Sequence, residues 1–386
     1  MAATDFMRQV VDDLKSKDLY WNIRVLQSSS MPRSKVDGRD VIMLCSNNYL
    51  GLSDHPALKE AAIEAIKKYG AGSGSVRAIA GTMDLHTELE EKIAKFKHTE
   101  AALYYQSGFT VNSGLIPTLL EKGDLVVSDE LNHGSIIDGV RLSKADKAIY
   151  PHKDMEGLEK ILKDAQGKHG KILVITDGVF SMDGDIAPLD KIVDLCKQYG
   201  ALSYVDDAHG DGVLGDHGRG ISHHFNVAGK VDFDMATFSK AFGVVGGCVA
   251  GTKDMCEFAF NKSRTWLLTG SHPPATVAAC IAAMDLLDKD DTLVKKLWEN
   301  TKYFKEGLKN LGFDTGESET PITPVMLGKS ETAKKFSMAL FDEGVFALPI
   351  VFPMVAADKA RIRTMVTAAH EEEHFDEALS AFEKVG

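Results

Sequence analysis

The chain has 386 residues, 44 of them Lys or Arg and 56 Asp or Glu, for a net charge of −12 with histidine neutral; 44% is hydrophobic and 26% charged. About two to three domains fit that length, and a chain this long buries about three quarters of its unfolded surface, so its core needs neither disulfides nor a structural metal. The composition excludes a disordered or fibrous chain, and the acidic balance disfavours nucleic acid or an anionic membrane as the main partner.

The first residues, MAATDFMRQVVDDLKSKD, are mixed in charge and carry no signal-peptide core. Val36-Asp37-Gly38-Arg39-Asp40 predicts a hairpin turn between two extended pieces. Asp54 is the expected cap of a helix that carries Leu58, Ala61, Ala65 and Ile66 on one stripe and ends at Gly70. Short apolar runs follow at Ala101–Tyr105, Leu125–Ser128, Ile172–Thr176, Leu202–Val205 and Cys248–Gly251. Separated by helical stretches, such as Leu189, Ile192, Val193, Cys196 and Tyr199 before Gly200, they read as buried parallel strands. From about Leu286 the helices become charged and strands fewer, with Ile322–Leu327 and Arg361–Val366 the candidates. The expected division is an arm and hairpin at 1–45, a large α/β domain at 46–285 and a smaller α+β domain at 286–386. The five cysteines (Cys45, Cys196, Cys248, Cys256, Cys280) form no CxxC pair and read as reduced thiols. No apolar run reaches membrane-spanning length, and a cytoplasmic protein without a membrane partner is expected.

Four segments carry chemistry. In Leu103–Ile116 a strand ends, Ser107-Gly108 turns, and a helix begins near Phe109; its free N–H groups can hold a phosphate. His133 lies just past the strand Leu125–Ser128, where an imidazole can stack on a flat ring. Asp206 directly follows an apolar strand, at the sheet edge where ligands bind, and can pair with a protonated ring nitrogen; His209 can reach the same ligand. Lys240 is the one cation in Asp234–Gly247, among small, apolar and hydroxyl residues. Desolvation there lowers its pKa and suits an imine-forming amine. Each segment alone has a plain alternative: a solvent-facing loop lysine, a turn-capping aspartate, a structural histidine, an ordinary strand–turn–helix. The glycine-rich Gly70–Ser75 follows a helix and fails the dinucleotide pattern. His209, His217, His223 and His224 match no zinc spacing, so no metal is expected.

Taken together, the four describe a site for pyridoxal 5′-phosphate (PLP). The sequence also resembles the α-oxoamine synthases, fold-type I PLP-dependent transferases of aspartate aminotransferase-like fold, from about Leu19 to Val385. LCSNNYLGLSDHP (Leu44–Pro56), YGAGSGSVRAIAGT (Tyr69–Thr82), DELNHGSIIDG (Asp129–Gly139), DGVFSMDGDIAPL (Asp177–Leu189), VDDAHGDGVLG (Val205–Gly215), TFSKAFG (Thr237–Gly243) and ARIRT (Ala360–Thr364) carry the resemblance. It implies a large domain with a mainly parallel sheet plus a smaller C-terminal domain, and a homodimer with shared active sites. It implies that Lys240 bears the imine and moves the α-proton, Asp206 pairs with the ring nitrogen, His133 stacks, and His209 and Ser181 reach the phenolic oxygen. Ser107, Gly108, Phe109 and Thr237 would hold the phosphate, with Thr269 or Ser271 arriving from the neighbouring subunit. Arg363 would clamp the amino-acid carboxylate beside Asn48. The implied reaction joins an amino acid to an acyl-CoA. Similarity is greatest to the glycine C-acetyltransferases, implying glycine, acetyl-CoA and a role in threonine catabolism. The alternative is the 8-amino-7-oxononanoate synthases, with alanine and a pimeloyl thioester; serine palmitoyltransferase and 5-aminolevulinate synthase follow. Outside these, an aminotransferase on the same fold and an inactive partner subunit are the alternatives.

Overall fold

Apolar residues alternate from face to face along the buried strands, and that alternation organises the molecule. The structure is a computed structural model and describes residues 4–17 and 19–386; Met1–Ala3 and Asp18 of the expected arm lie outside the described residues. Seven strands form the central sheet: β1 (Ala101–Tyr105), β2 (Leu125–Asp129), β3 (Asp146–Tyr150), β4 (Ile172–Asp177), β5 (Leu202–Asp206), β6 (Phe233–Thr237) and β7 (Gly247–Gly251). Their order is β1-β7-β6-β5-β4-β2-β3. Neighbours from β6 through β3 are parallel, whereas β7 runs antiparallel to both β6 and β1. The expectation of a parallel strand at Cys248–Gly251 is thus corrected. Only the loop 238–246 joins β6 to β7, too short for the dozen or more residues of a crossover.

Both faces of the sheet are covered, which is why its strands read as apolar runs. Val127, Val174, Val205, Cys248 and Ala250 face one core, with Leu89 and Ile93 of helix Asp84–Lys97 and Val277 and Ile281 of helix Pro274–Lys289. Val126, Leu173, Ile175, Tyr204 and Val249 face the other, with Val111 and Leu115 of helix Gly108–Leu119 and Ile136 of helix Gly134–Leu142. Each fully buried Val or Leu contributes about 1.5–3 kcal/mol. Strand polarity gathers the last residues of β2, β4, β5 and β6 on one edge.

Helix Pro56–Tyr69 begins with Pro at its first turn and ends at Gly70, φ 80°. The cap expected at Asp54 is instead His55, whose Nδ1 accepts from the Ala57 N–H at 3.2 Å, because Asp54 belongs to the 3-10 turn Leu52–Asp54. In the C-terminal part, strand Ala360–Met365 lies between Ile322–Gly328 and Leu348–Ile350, antiparallel to both. Phe304, Phe313, Phe336, Phe375 and Phe382 pack together beneath it. The expected hairpin joins Arg33–Val36 to Arg39–Met43 through Asp37 (φ 49°) and Gly38 (φ 80°). Two positive φ values in succession mark the turn type that matches strand twist. Strand Arg39–Met43 also pairs in parallel with Val345–Phe346, tying the hairpin to the C-terminal part. No helix among the described residues is long and apolar enough to cross a membrane.

Candidate functional site

At the carboxyl edge of the central sheet a cavity of about 220 Å³ is lined by residues from all four sequence segments, among them Ser107, Gly108, His133, Asp206, His209 and Lys240. Asp177, Ser181, Thr237 and Ser239 also line it. The turn after β1 supplies its anion-binding end. Ser107 caps helix Gly108–Leu119, its Oγ accepting from Thr110 N–H at 3.2 Å. The N–H groups of Gly108 and Phe109 have no backbone acceptor among the described residues, as the first turn of a helix dictates. Gly108 packs closely here, and a Cβ would lie 2.8 Å from the mobile end of Met235, Cε, and 3.4 Å from Thr237 Cβ. Thr237 Oγ1 donates to Gly246 O at 2.7 Å and so braces the following loop. The hydroxyl that lines the cavity beside it belongs to Ser239, which the sequence reading missed.

Alternation along β5 sends Asp206 to the side of Tyr204. There its Oδ2 accepts from Asn112 Nδ2 at 2.7 Å and its Oδ1 from Ala208 N–H at 3.1 Å. Asp177 stands beside Asp206 in register, at the end of β4. Burial and the Asp206 charge push its carboxyl well above the usual range. Its Oδ2 accepts the His133 backbone N–H at 3.0 Å, which fixes the turn carrying that imidazole. Asp177 ends an apolar strand, the same signal that singled out Asp206, and the sequence reading named it only within a motif.

Lys240 lies three residues beyond β6, in a loop held by Phe238 N–H to Gly246 O at 3.0 Å and Gly243 N–H to Lys240 O at 2.9 Å. Gly243 has φ 69°, and a Cβ there would meet Ser53 N at 2.5 Å, so the loop is pressed against the Leu52–Asp54 turn. Desolvation, reinforced by Arg363 and opposed by Asp206 and Asp177, brings the Lys240 amine down to about 8. No ion pair among the described residues engages it.

Two imidazoles flank this amine. Burial pushes His209 well below its ordinary range, with Lys240 and Arg363 adding to the effect. Its Nδ1 lies 2.8 Å from Tyr49 Oη, a phenol that burial keeps protonated and hence a donor, so Nε2 carries the ring proton. His133 Nδ1 accepts from Ser135 N–H at 3.2 Å, and desolvation lowers its pKa too. Both rings are neutral near pH 7.

Arg363 projects from strand Ala360–Met365 and donates to Ser181 O at 3.0 Å and Asn47 Oδ1 at 3.3 Å. It has no carboxylate partner among the described residues, which leaves its charge for an incoming anion. The asparagine beside it is Asn47 and not the expected Asn48. The Asn48 amide donates to Ser30 O at 2.9 Å and Ser53 Oγ at 2.7 Å and is buried. Thr269 and Ser271 do not line the cavity of their own chain. Ser271 Oγ lies 2.6 Å from Ser73 Oγ, its N–H donates to Ser75 O at 2.9 Å, and Gly270 bridges Val76. His272 is buried with Nε2 3.3 Å from Gln106 O and its ring tilted over Tyr104. The described residues contain no group of acids, histidines or cysteines able to hold a metal ion.

This geometry can hold a flat ring between His133 and the sheet edge, an anion at the helix start, and a carbonyl against Lys240. The family described as aminotransferase class I and II matches residues 39–382. A relative from Thermoanaerobacter pseudethanolicus, named 8-amino-7-oxononanoate synthase, is 56% identical over 382 residues, 99% of this chain and 97% of its own. Another of that name, from Symbiobacterium thermophilum, is 55% identical over 386 residues, 100% of this chain and 98% of its own. The structure of serine palmitoyltransferase from S. paucimobilis with a bound PLP–myriocin aldimine superposes with TM-score 0.93 at 31% identity, covering 99% of this chain and 97% of the other. An 8-amino-7-oxononanoate synthase structure from Francisella tularensis gives TM-score 0.77 at 28% identity, over 89% and 97% of the two chains. The names of the sequence relatives favour the expected alternative over glycine C-acetyltransferase.

Proposed function

Because the chain belongs to the class I and II aminotransferases, and within them to the α-oxoamine synthases, PLP-dependent acyltransferases, we propose that it condenses alanine with a pimeloyl thioester. Free thiol and carbon dioxide leave, and 8-amino-7-oxononanoate is the product. The single observation that carries this reading is the 56% identity over 99% of the chain to a relative of that name.

The residues present fit the cofactor: two N–H groups without acceptors where Gly108 leaves room, a carboxylate that accepts two hydrogen bonds, and an amine lowered to about 8. When bound, PLP supplies a carbonyl for imine formation and an electron sink. Gly108 and Phe109 N–H and Ser239 Oγ would hold its phosphate, Asp206 the proton on its ring nitrogen, and His133 one face of the ring. His209 Nε2–H and Ser181 would border its phenolic oxygen. Arg363, backed by Asn47, binds the amino-acid carboxylate and so sets which α-substituent faces Lys240. The Lys240 amine would take the α-proton at Nζ; with a pKa near 8 it exchanges a proton readily at neutral pH.

The segments Ser73–Val76 and Gly270–Ser271, with nearby Ile79 82% and Leu268 67% exposed, are held to each other and do not line the cavity of their own chain. They would complete the phosphate site of a second copy in a homodimer. A thiol-release assay of glycine, alanine and serine against acetyl-, pimeloyl- and palmitoyl-CoA tests the substrate reading. Alanine with pimeloyl-CoA is expected to give the highest kcat/KM. Preference for glycine with acetyl-CoA would return the assignment to glycine C-acetyltransferase.

A further inference from the structure

Helix Gly108–Leu119 carries one strongly polar side chain on its sheet-facing side, Asn112, which is 0% exposed. An asparagine in a helix interior costs helical stability relative to Ala or Leu, and a buried amide is tolerated only when its groups are bonded. Here they are. Nδ2 donates to Asp206 Oδ2 at 2.7 Å and to Ser135 Oγ at 2.9 Å, while Oδ1 accepts from Tyr204 Oη at 2.7 Å. The Tyr204 phenol is held far above its ordinary pKa by burial and by Asp206, so it stays protonated and remains a donor. Its ring is stacked on Phe233 at 5.7 Å. A phenol donor on one side dictates which end of the amide is oxygen, and the N–H end therefore faces the carboxylate. Flipping the amide would set its oxygen against Asp206 and leave Tyr204 without an acceptor. The backbone is fixed as well. Helix Gly134–Leu142 crosses so closely that a Cβ on Gly139 would lie 2.6 Å from Asn112 O.

We propose that Asn112, oriented by Tyr204, is the positioning residue that sets the Asp206 carboxylate for the cofactor's ring nitrogen. Among the described residues Asp206 has two protein donors, and Asn112 alone of them is a side chain. Without it the carboxylate can turn about its χ2 angle, and the ring nitrogen loses a fixed acceptor for its proton. This assignment rests on Asp206 facing that nitrogen, as proposed above. It adds a residue of helix Gly108–Leu119 to the machinery and predicts a graded effect along the chain Tyr204–Asn112–Asp206.

The test uses holoenzyme reconstituted with PLP labelled with 15N in the ring. The shift reports protonation of that nitrogen, and dialysis gives the PLP dissociation constant. Asp206→Asn is expected to move the signal fully to the unprotonated position. Asn112→Leu, of similar volume, should move it part of the way and weaken PLP binding about tenfold. Tyr204→Phe should move it less, and thermal stability should not follow the same order. If Asp206→Asn shifts the signal and both other variants leave it at the wild-type position, Asn112 has no positioning role. If Asp206→Asn itself leaves it unchanged, the Asp206 assignment fails instead. Should Asn112→Leu not fold, Tyr204→Phe decides, because the freed amide alone must produce a shift.

Discussion

Two lysines sit next to the same strand end and have opposite fates. Alternation past β5 sends Asp206 to one face and Asp207 to the other. On the second face Lys97, 1% exposed, meets three carboxylates: Asp211 at 2.5 Å, Asp234 at 2.8 Å and Asp207 at 3.4 Å. Burial opposes its charge, but the three acids overcome it and raise its pKa well above the ordinary value. Asp211 in turn is pushed up to about 6 by burial, although Lys97 pulls it the other way. Lys240 is desolvated too, yet among the described residues no acid forms an ion pair with it and the Arg363 charge adds to the shift, so it falls to about 8. A buried amine becomes a nucleophile when carboxylates are near enough to steer it and too far to pair with it.

That contrast can be broken experimentally. Lys240→Ala should lower turnover by at least about 10⁴-fold, from loss of both the covalent link and the proton carrier. Mass spectrometry after borohydride reduction should find no fixed cofactor, while the melting temperature stays close to wild type. Lys97→Met should do the reverse. Three acids left without their cation cost about 3–5 kcal/mol in urea unfolding, with the activity of the folded fraction retained. An inactive but stable Lys97 variant would erase the distinction. Arg363→Ala should raise the amino-acid KM by roughly 10- to 100-fold and leave that of the acyl thioester nearly unchanged, because only the carboxylate clamp is lost. The smallest effect sharpens the comparison. Lys240 is uncharged above a pH of about 8, so capture of PLP by apoenzyme should accelerate through that pH and then level off. Removing the Arg363 charge should move this inflection upward, and Lys97→Met should leave it in place.

The sequence made the central strands legible where both faces are buried, as at Ile172–Asp177, and hid those that break the apolar pattern. β3 (DKAIY) is an edge strand with exposed Asp146, Lys147 and Ile149, and nothing in its composition separates it from a loop. β6 (FDMAT) contains Asp234, whose burial is compensated by the Ser222 hydroxyl and by Lys97, the latter more than 130 positions earlier. Lys240, Asp206, His133 and His209 could be singled out because each follows a strand or stands alone in a distinctive run. Asn112 could not, since a polar residue inside a helix normally reads as solvent-facing, and its partners come from β5 and from the next helix. Asn47 and Asn48 differ only in which way a tight loop turns them, and Arg363 is what tells them apart. Lys97, in a helix with alternating charges, reads as surface; three acids distant in sequence make it core.

The hairpin at residues 33–43 has a temporal consequence. Its parallel neighbour, Val345–Phe346, lies about 300 residues downstream. At a translation rate of roughly 5–20 residues per second, the ribosome delivers that partner some ~15–60 s later. A two-stranded ribbon is marginal by itself, so Val36, Val41 and Met43 wait beside the nascent chain until Phe341 covers them. That hairpin is therefore among the last parts to be sealed.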